Sequence, residues 1–99
     1  MNLGEAIKTI RRSRGILQKE LAERIGISAN ALVSIEHDNS FPTKETIEKI
    51  CAALDIPRSY LLLSCLEEED IPEEKRILYR VLVVPLRDEI INDLKEDNK

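Results

Sequence analysis

The sequence predicts an all-α fold. Three observations carry that expectation. Apolar residues recur three and four positions apart through the first two thirds of the chain, as they do along one face of a helix. Strand formers are sparse over the same stretch, and the chain holds only 3 Gly and 4 Pro. Its 99 residues, 42% hydrophobic and 34% charged, suit one small domain with an arm and favour folding over disorder. A core of this size is modest, and oligomerisation is a common way to bury more apolar surface.

Each element has its own signal. Leu3 to Arg14 puts Leu3, Ala6, Ile7 and Ile10 on one helical face, with Asn2 as N-cap and Gly15 as terminator. Arg11, Arg12 and Arg14 crowd its last turn, where cations suit the helix dipole. A second segment runs from Gln18 to about Ile25, with Leu21, Ala22 and Ile25 facing inward and Gly26 stopping it. Ser28 is placed to cap a third, Ala29 to about Glu36, whose Leu32 and Ile35 face inward. After the loop "HDNSFP", Thr43 caps a fourth helix with a buried stripe of Ile47, Ile50, Cys51 and Leu54. Pro57 suits the first position of a short fifth helix carrying Tyr60, Leu61, Leu62 and Leu66.

These five helices occupy residues 1–66; residues 67–99 form an acidic linker and a helical tail. Pro72 opens the tail helix, and Leu78, Leu82, Leu86, Ile90 and Leu94 recur every four residues. A strand reading of "ILYRVLVV" is the rival, but its apolar residues do not alternate. Pro85 kinks or splits the helix, because proline lacks the N–H and clashes with the preceding turn.

Charge separates the same two parts. The chain is −4 overall, yet residues 1–60 hold nine cations against eight anions, and residues 61–99 six against eleven. The halves therefore do different work. The overall sign does not exclude nucleic acid, since the local potential governs phosphate binding. No apolar run is long enough to span a bilayer, and no signal segment opens the chain, so a cytoplasmic protein without a membrane partner is expected. Cys51 and Cys65 stand alone without metal-ligand spacing. With one His and no Gly-rich phosphate loop, no enzyme, metal or cofactor is expected.

"QKELAERIGISANALVSIE", residues 18–36, carries the functional signal. Two short helices held this tightly need a small residue at their crossing, Ala22, a flexible turn, Gly26, and apolar anchors under the second helix, Leu32 and Ile35. Pinned from below, the second helix projects its outer face and N-terminus, the geometry that enters a DNA major groove. With "IKTIRRSRGILQKELAERIGISANALVSIE" and "PTKETIEKICAALDIP", the chain resembles the Cro/phage-repressor (XRE-like) helix-turn-helix family over roughly residues 3–62.

That resemblance implies a five-helix, lambda-repressor-like DNA-binding domain with a C-terminal helical extension. It implies base contacts from Ala29, Asn30, Val33 and Ser34, and phosphate contacts from Gln18, Lys19, Ser28, Asn39, Thr43 and Lys44. It also implies a structural ion pair between Arg11 and Glu36. Plainer readings compete: a capping or solvent-exposed amide for Gln18, a solvated charge for Lys19 and Lys44, a solvated face for Asn30 and Ser34, a partly buried helix residue for Val33. Asn reads adenine and apolar Ala or Val meets a thymine methyl, so A·T pairs are expected at the centre of the contact.

Two departures weaken the likeness. The loop "HDNSF" lacks the family's frequent glycine and its basic residues, although Asp38 or Asn39 tolerates a left-handed backbone. The recognition segment has no Lys or Arg, which lowers the phosphate contribution to affinity. The expected function is a homodimeric repressor on a palindromic operator in double-stranded DNA. Leu78, Leu82, Leu86, Ile90 and Leu94 would form the dimer face, with a tail folded back on its own domain as the rival. The alternative is an antitoxin-like interaction module, with a protein partner at the tail and weak or lost DNA binding.

Overall fold

The computed structural model describes residues 1–96. Residues 97–99 of the expected tail lie outside that range. All regular secondary structure among the described residues is helical, with no strand.

Five helices form the first unit: α1 (Leu3–Ser13), α2 (Gln18–Ile25), α3 (Ala29–Glu36), α4 (Lys44–Leu54) and α5 (Arg58–Cys65). Their starts follow from local chemistry. The Asn2 side-chain oxygen accepts the Glu5 N–H at 3.0 Å, Ser28 accepts from Ala31 at 3.0 Å, and Thr43 from Thr46 at 3.2 Å. Each satisfies one of the orphan donors of a helix N-terminus. Pro57 stands just before α5 rather than in its first turn; its ψ of 152° is extended, which makes it the cap residue.

The expected inward stripes meet in one core. Ile7, Ile10, Leu21, Leu32, Ile50, Leu54 and Leu61 are all within 1% of complete burial. Leu62 does not join them; it stands 70% exposed on the outside of α5. The arginines of α1 do more than complement its dipole. Arg14 donates from Nε to the Leu54 carbonyl at 2.8 Å and from Nη2 to the Asp55 carbonyl at 2.7 Å, tying α1 to the carbonyl end of α4.

The acidic linker forms two single helical turns, Glu68–Asp70 and Glu73–Lys75. Arg80 pairs with Glu68, and that hydrogen bond holds the Glu68 carboxyl below its ordinary value. The tail is then one helical run made of α6 (Arg76–Leu78), a π-helical turn (Tyr79–Val83) and α7 (Val84–Glu96). Pro85 neither ends nor splits it. In the wide turn the Val84 N–H reaches back five residues to the Tyr79 carbonyl. The coil is thus loosened directly before the proline ring, which would otherwise press on the carbonyl four residues back.

The structure corrects one member of the expected dimer face. Leu94 is 3% exposed and packs into the core of its own chain, where α7 lies against α1 and α5. Leu78, Leu82 and Leu86 remain 52%, 60% and 52% exposed, and Ile90 is half-buried. The reason is geometric. At 3.6 residues per turn, each step of four advances about 40° around the helix, so a period of four drifts off any single face. The tail is fastened at its other end by Tyr79, which is buried and donates its hydroxyl to the Leu66 carbonyl at 2.9 Å.

Candidate nucleic-acid interface

The α2–α3 corner begins with a small crossing residue. Ala22 is 2% exposed, and its carbonyl accepts the Ile27 N–H at 3.0 Å, drawing the turn tight. Gly26 takes φ 75°, and a Cβ there would meet nothing within 4 Å. Glycine is needed at this position for the left-handed backbone, not for space. Leu32 and Ile35 are buried beneath α3 and fix which side faces out.

Along α3, Ala29 and Asn30 are exposed, while Val33 and Ser34 are half-buried. The plainer reading of Val33 therefore describes its position in the free chain. Ser28, Lys19, Asn39, Thr43 and Lys44 are all exposed. Ser28 uses an oxygen lone pair on the Ala31 N–H, so its hydroxyl proton is left to donate. Thr43 is more committed, capping α4 and sharing a 3.0 Å hydrogen bond with the Thr46 hydroxyl. The Asn39 N–H closes back on the Ser34 carbonyl at 2.9 Å, so the loop wraps the end of α3. His37 is exposed at that end. The first turn of α3 holds no acidic residue, which leaves its positive dipole end uncompensated by side chains.

Beneath this surface lies the ion pair. Arg11 donates from Nε to Glu36 Oε2 at 2.8 Å and from Nη2 to Oε1 at 3.0 Å, with both side chains almost wholly buried. Gln18 joins it, donating from Nε2 to Glu36 Oε1 at 3.0 Å. Gln18 is half-buried, so its amide is a member of this network rather than a free surface group.

Comparison with known proteins agrees with this geometry. A family model described as a helix-turn-helix domain matches residues 4–64. The chain belongs to the helix-turn-helix family. It is 34% identical over 79 residues to the immunity repressor protein of Bacillus phage phi105, covering 80% of this chain and 52% of that protein. It is 36% identical over 62 residues to the HTH-type transcriptional regulator ImmR of Bacillus subtilis, covering 63% and 49%. SinR of the same organism is also 36% identical, over 61 residues, covering 61% and 55%. The chain thus spans about half the length of these relatives.

Sequence reading missed one feature of this helix-turn-helix unit. Gly4 and Asp38 lock the start of α1 to the end of α3. The Gly4 N–H donates to Asp38 Oδ1 at 3.0 Å. Asp38 itself adopts φ 59°, which aims its short carboxylate back across the end of α3. A Cβ on Gly4 would stand 2.5 Å from the Glu36 carbonyl oxygen and 2.6 Å from that of Ile35. The one available signal was a glycine in the first turn of an otherwise apolar-striped helix.

Proposed function

We propose that this chain is a sequence-specific DNA-binding transcriptional regulator, a repressor that binds a palindromic operator as a homodimer. One observation carries the reading: α3 is pinned by Leu32 and Ile35, and locked at its end by Glu36, so that Ala29, Asn30, Val33 and Ser34 lie along its outer side. In this reading α3 enters the major groove. Asn30 offers a donor and an acceptor to adenine N7 and N6, while Ala29 and Val33 meet thymine methyls. Lys19, Lys44, Ser28, Thr43, Asn39 and Gln18 supply phosphate contacts that set register. No catalysis is involved, since occupancy of a promoter blocks polymerase.

Two copies are needed to read two half-sites about 34 Å apart. The remaining exposed tail face supports the pairing. Leu78, Leu82 and Leu86 are joined there by Ile77, 67% exposed, and Val81, 60% exposed. A contiguous apolar face of this kind is uncommon on a protein that stays alone.

The experiment is selection of random duplexes by the purified chain at low and moderate salt, followed by sequencing. A recovered palindrome with A·T pairs at the centre of each half-site, where α3 makes its contacts, is the expected result. Recovery of no motif at either salt refutes the regulator reading. It would favour an antitoxin-like interaction module, which the absence of Lys and Arg from α3 and the exposed tail face also suit.

A further inference from the structure

We infer that Glu36 is a positioning residue for DNA contact: it decides which end of the Gln18 amide meets a phosphate. The inference rests on the DNA-binding reading above and deepens it.

The ionised Glu36 carboxylate can only accept hydrogen bonds. The Glu36 side chain is 2% exposed. Its Oε1 receives both Arg11 Nη2 and Gln18 Nε2 at 3.0 Å, and its Oε2 receives Arg11 Nε at 2.8 Å. A glutamine amide has a donor end and an acceptor end of nearly the same shape. Against a buried carboxylate only the donor end fits. A flipped amide would set two oxygens against each other and leave one buried charge short of a donor.

The carboxylate is itself immobile. Arg11 grips it with two bonds and spends a third N–H on the Ile16 carbonyl, at 3.0 Å, in the loop that leads into α2. The circuit joins α1, the approach to α2, the first residue of α2 and the last residue of α3. Gln18 keeps a second Nε2 hydrogen, and among the described residues no other partner engages its amide. Leu17, the cap of α2, offers no side-chain acceptor to the first-turn N–H groups. The Leu17 N–H is taken by Glu20 Oε1 at 3.3 Å, a carboxylate that also pairs with Arg24, so the donors left for a phosphate at the start of α2 are the other first-turn N–H groups and the Gln18 amide. Without Glu36 the amide is free to turn its oxygen toward the anion, which repels it.

The test is a double-mutant cycle on affinity for the selected duplex, read by fluorescence anisotropy at one fixed salt concentration. Four proteins are compared: wild type, Gln18→Ala, the paired replacement Arg11→Met with Glu36→Leu, and all three changes together. The paired replacement removes both buried charges, so neither is stranded, and swaps of this kind preserve folding. Thermal melting checks that it does. Gln18→Ala is expected to weaken wild-type binding about tenfold, the size of one hydrogen bond to a charged group, and to cost less than about twofold in the paired background. Equal losses in both backgrounds overturn the inference, and so does an unchanged wild-type affinity.

A second measurement needs no variant. In the free wild-type protein, one side-chain amide proton of Gln18 should exchange slowly with solvent by NMR, whereas two rapidly exchanging protons overturn the pinning. Absence of wild-type binding to any duplex, with that proton protected, would instead fail the DNA-binding reading and the phosphate role together.

Discussion

Gly4→Ala should destabilise the chain, although helix propensity alone says the opposite. In a helix interior, Ala is favoured over Gly by about 1 kcal/mol. The structure supplies two larger opposing effects. The new Cβ would lie 2.5 Å and 2.6 Å from the backbone oxygens of Glu36 and Ile35, and 2.8 Å from Asp38 Oδ2. Two of these neighbours are backbone at the end of α3, held by the Arg11–Glu36 pair below, and cannot rotate aside. Overpacking against rigid neighbours costs about 1–3 kcal/mol. Separation also stretches the Gly4–Asp38 hydrogen bond, whose charged acceptor makes it worth more than a neutral one, about 1.5–3 kcal/mol. The net expectation is a loss of about 2–3 kcal/mol, or a drop in melting temperature of roughly 10–20 °C for a domain this small. Urea unfolding followed by circular dichroism reads it directly. A Gly4→Ala protein as stable as wild type, or more stable, would refute the close approach of α1 to α3.

Three further outcomes are expected. Glu36→Ala should cost about 3–5 kcal/mol by stranding the buried Arg11 charge, while the paired apolar replacement should recover most of it; equal losses by denaturant titration would deny the pair its burial. Leu94→Ala should cost about 2–4 kcal/mol of stability, whereas Leu82→Ala should leave stability within about 0.5 kcal/mol and lower the dimer fraction seen by light scattering. The reverse pattern would mean that the tail is not docked through Leu94. Burial raises the Cys51 thiol above its ordinary value, with Arg58 pulling weakly the other way. The folded chain therefore holds that proton longer than the unfolded one, and its stability falls as pH rises past the ordinary thiol value. Iodoacetamide at mildly alkaline pH should label Cys51 faster in urea than in buffer; equal rates would place the thiol in solvent.

Much of the domain was legible because its signals are local. Asn2, Ser28 and Thr43 each bond a donor three residues on, so a cap can be read from a short window. Gly26 announced left-handed backbone by residue type, and so did the pair Asp38 and Asn39, between which the structure chose Asp38. The inward stripes of α1 to α4 were legible because each helix is short, and spacings of three and four stay on one face over two or three turns. The tail was not, for the same reason turned around. Over the longer run from Leu78 to Leu94 the drift accumulates, and one repeating pattern serves two different surfaces.

Sequence alone determined α1 to α4, their starts, and the order of small, flexible and apolar residues that makes α2 and α3 a tight corner. Tertiary structure decided what lies between elements distant along the chain. It placed Leu94 in the core, brought Gly4 against the end of α3, and recruited Gln18 to the Arg11–Glu36 pair. Caps and stripes depend on neighbours within a turn or two, where spacing fixes geometry. A hydrogen bond between residues 4 and 38, or 18 and 36, depends on where whole helices come to rest, and no local pattern carries that distance.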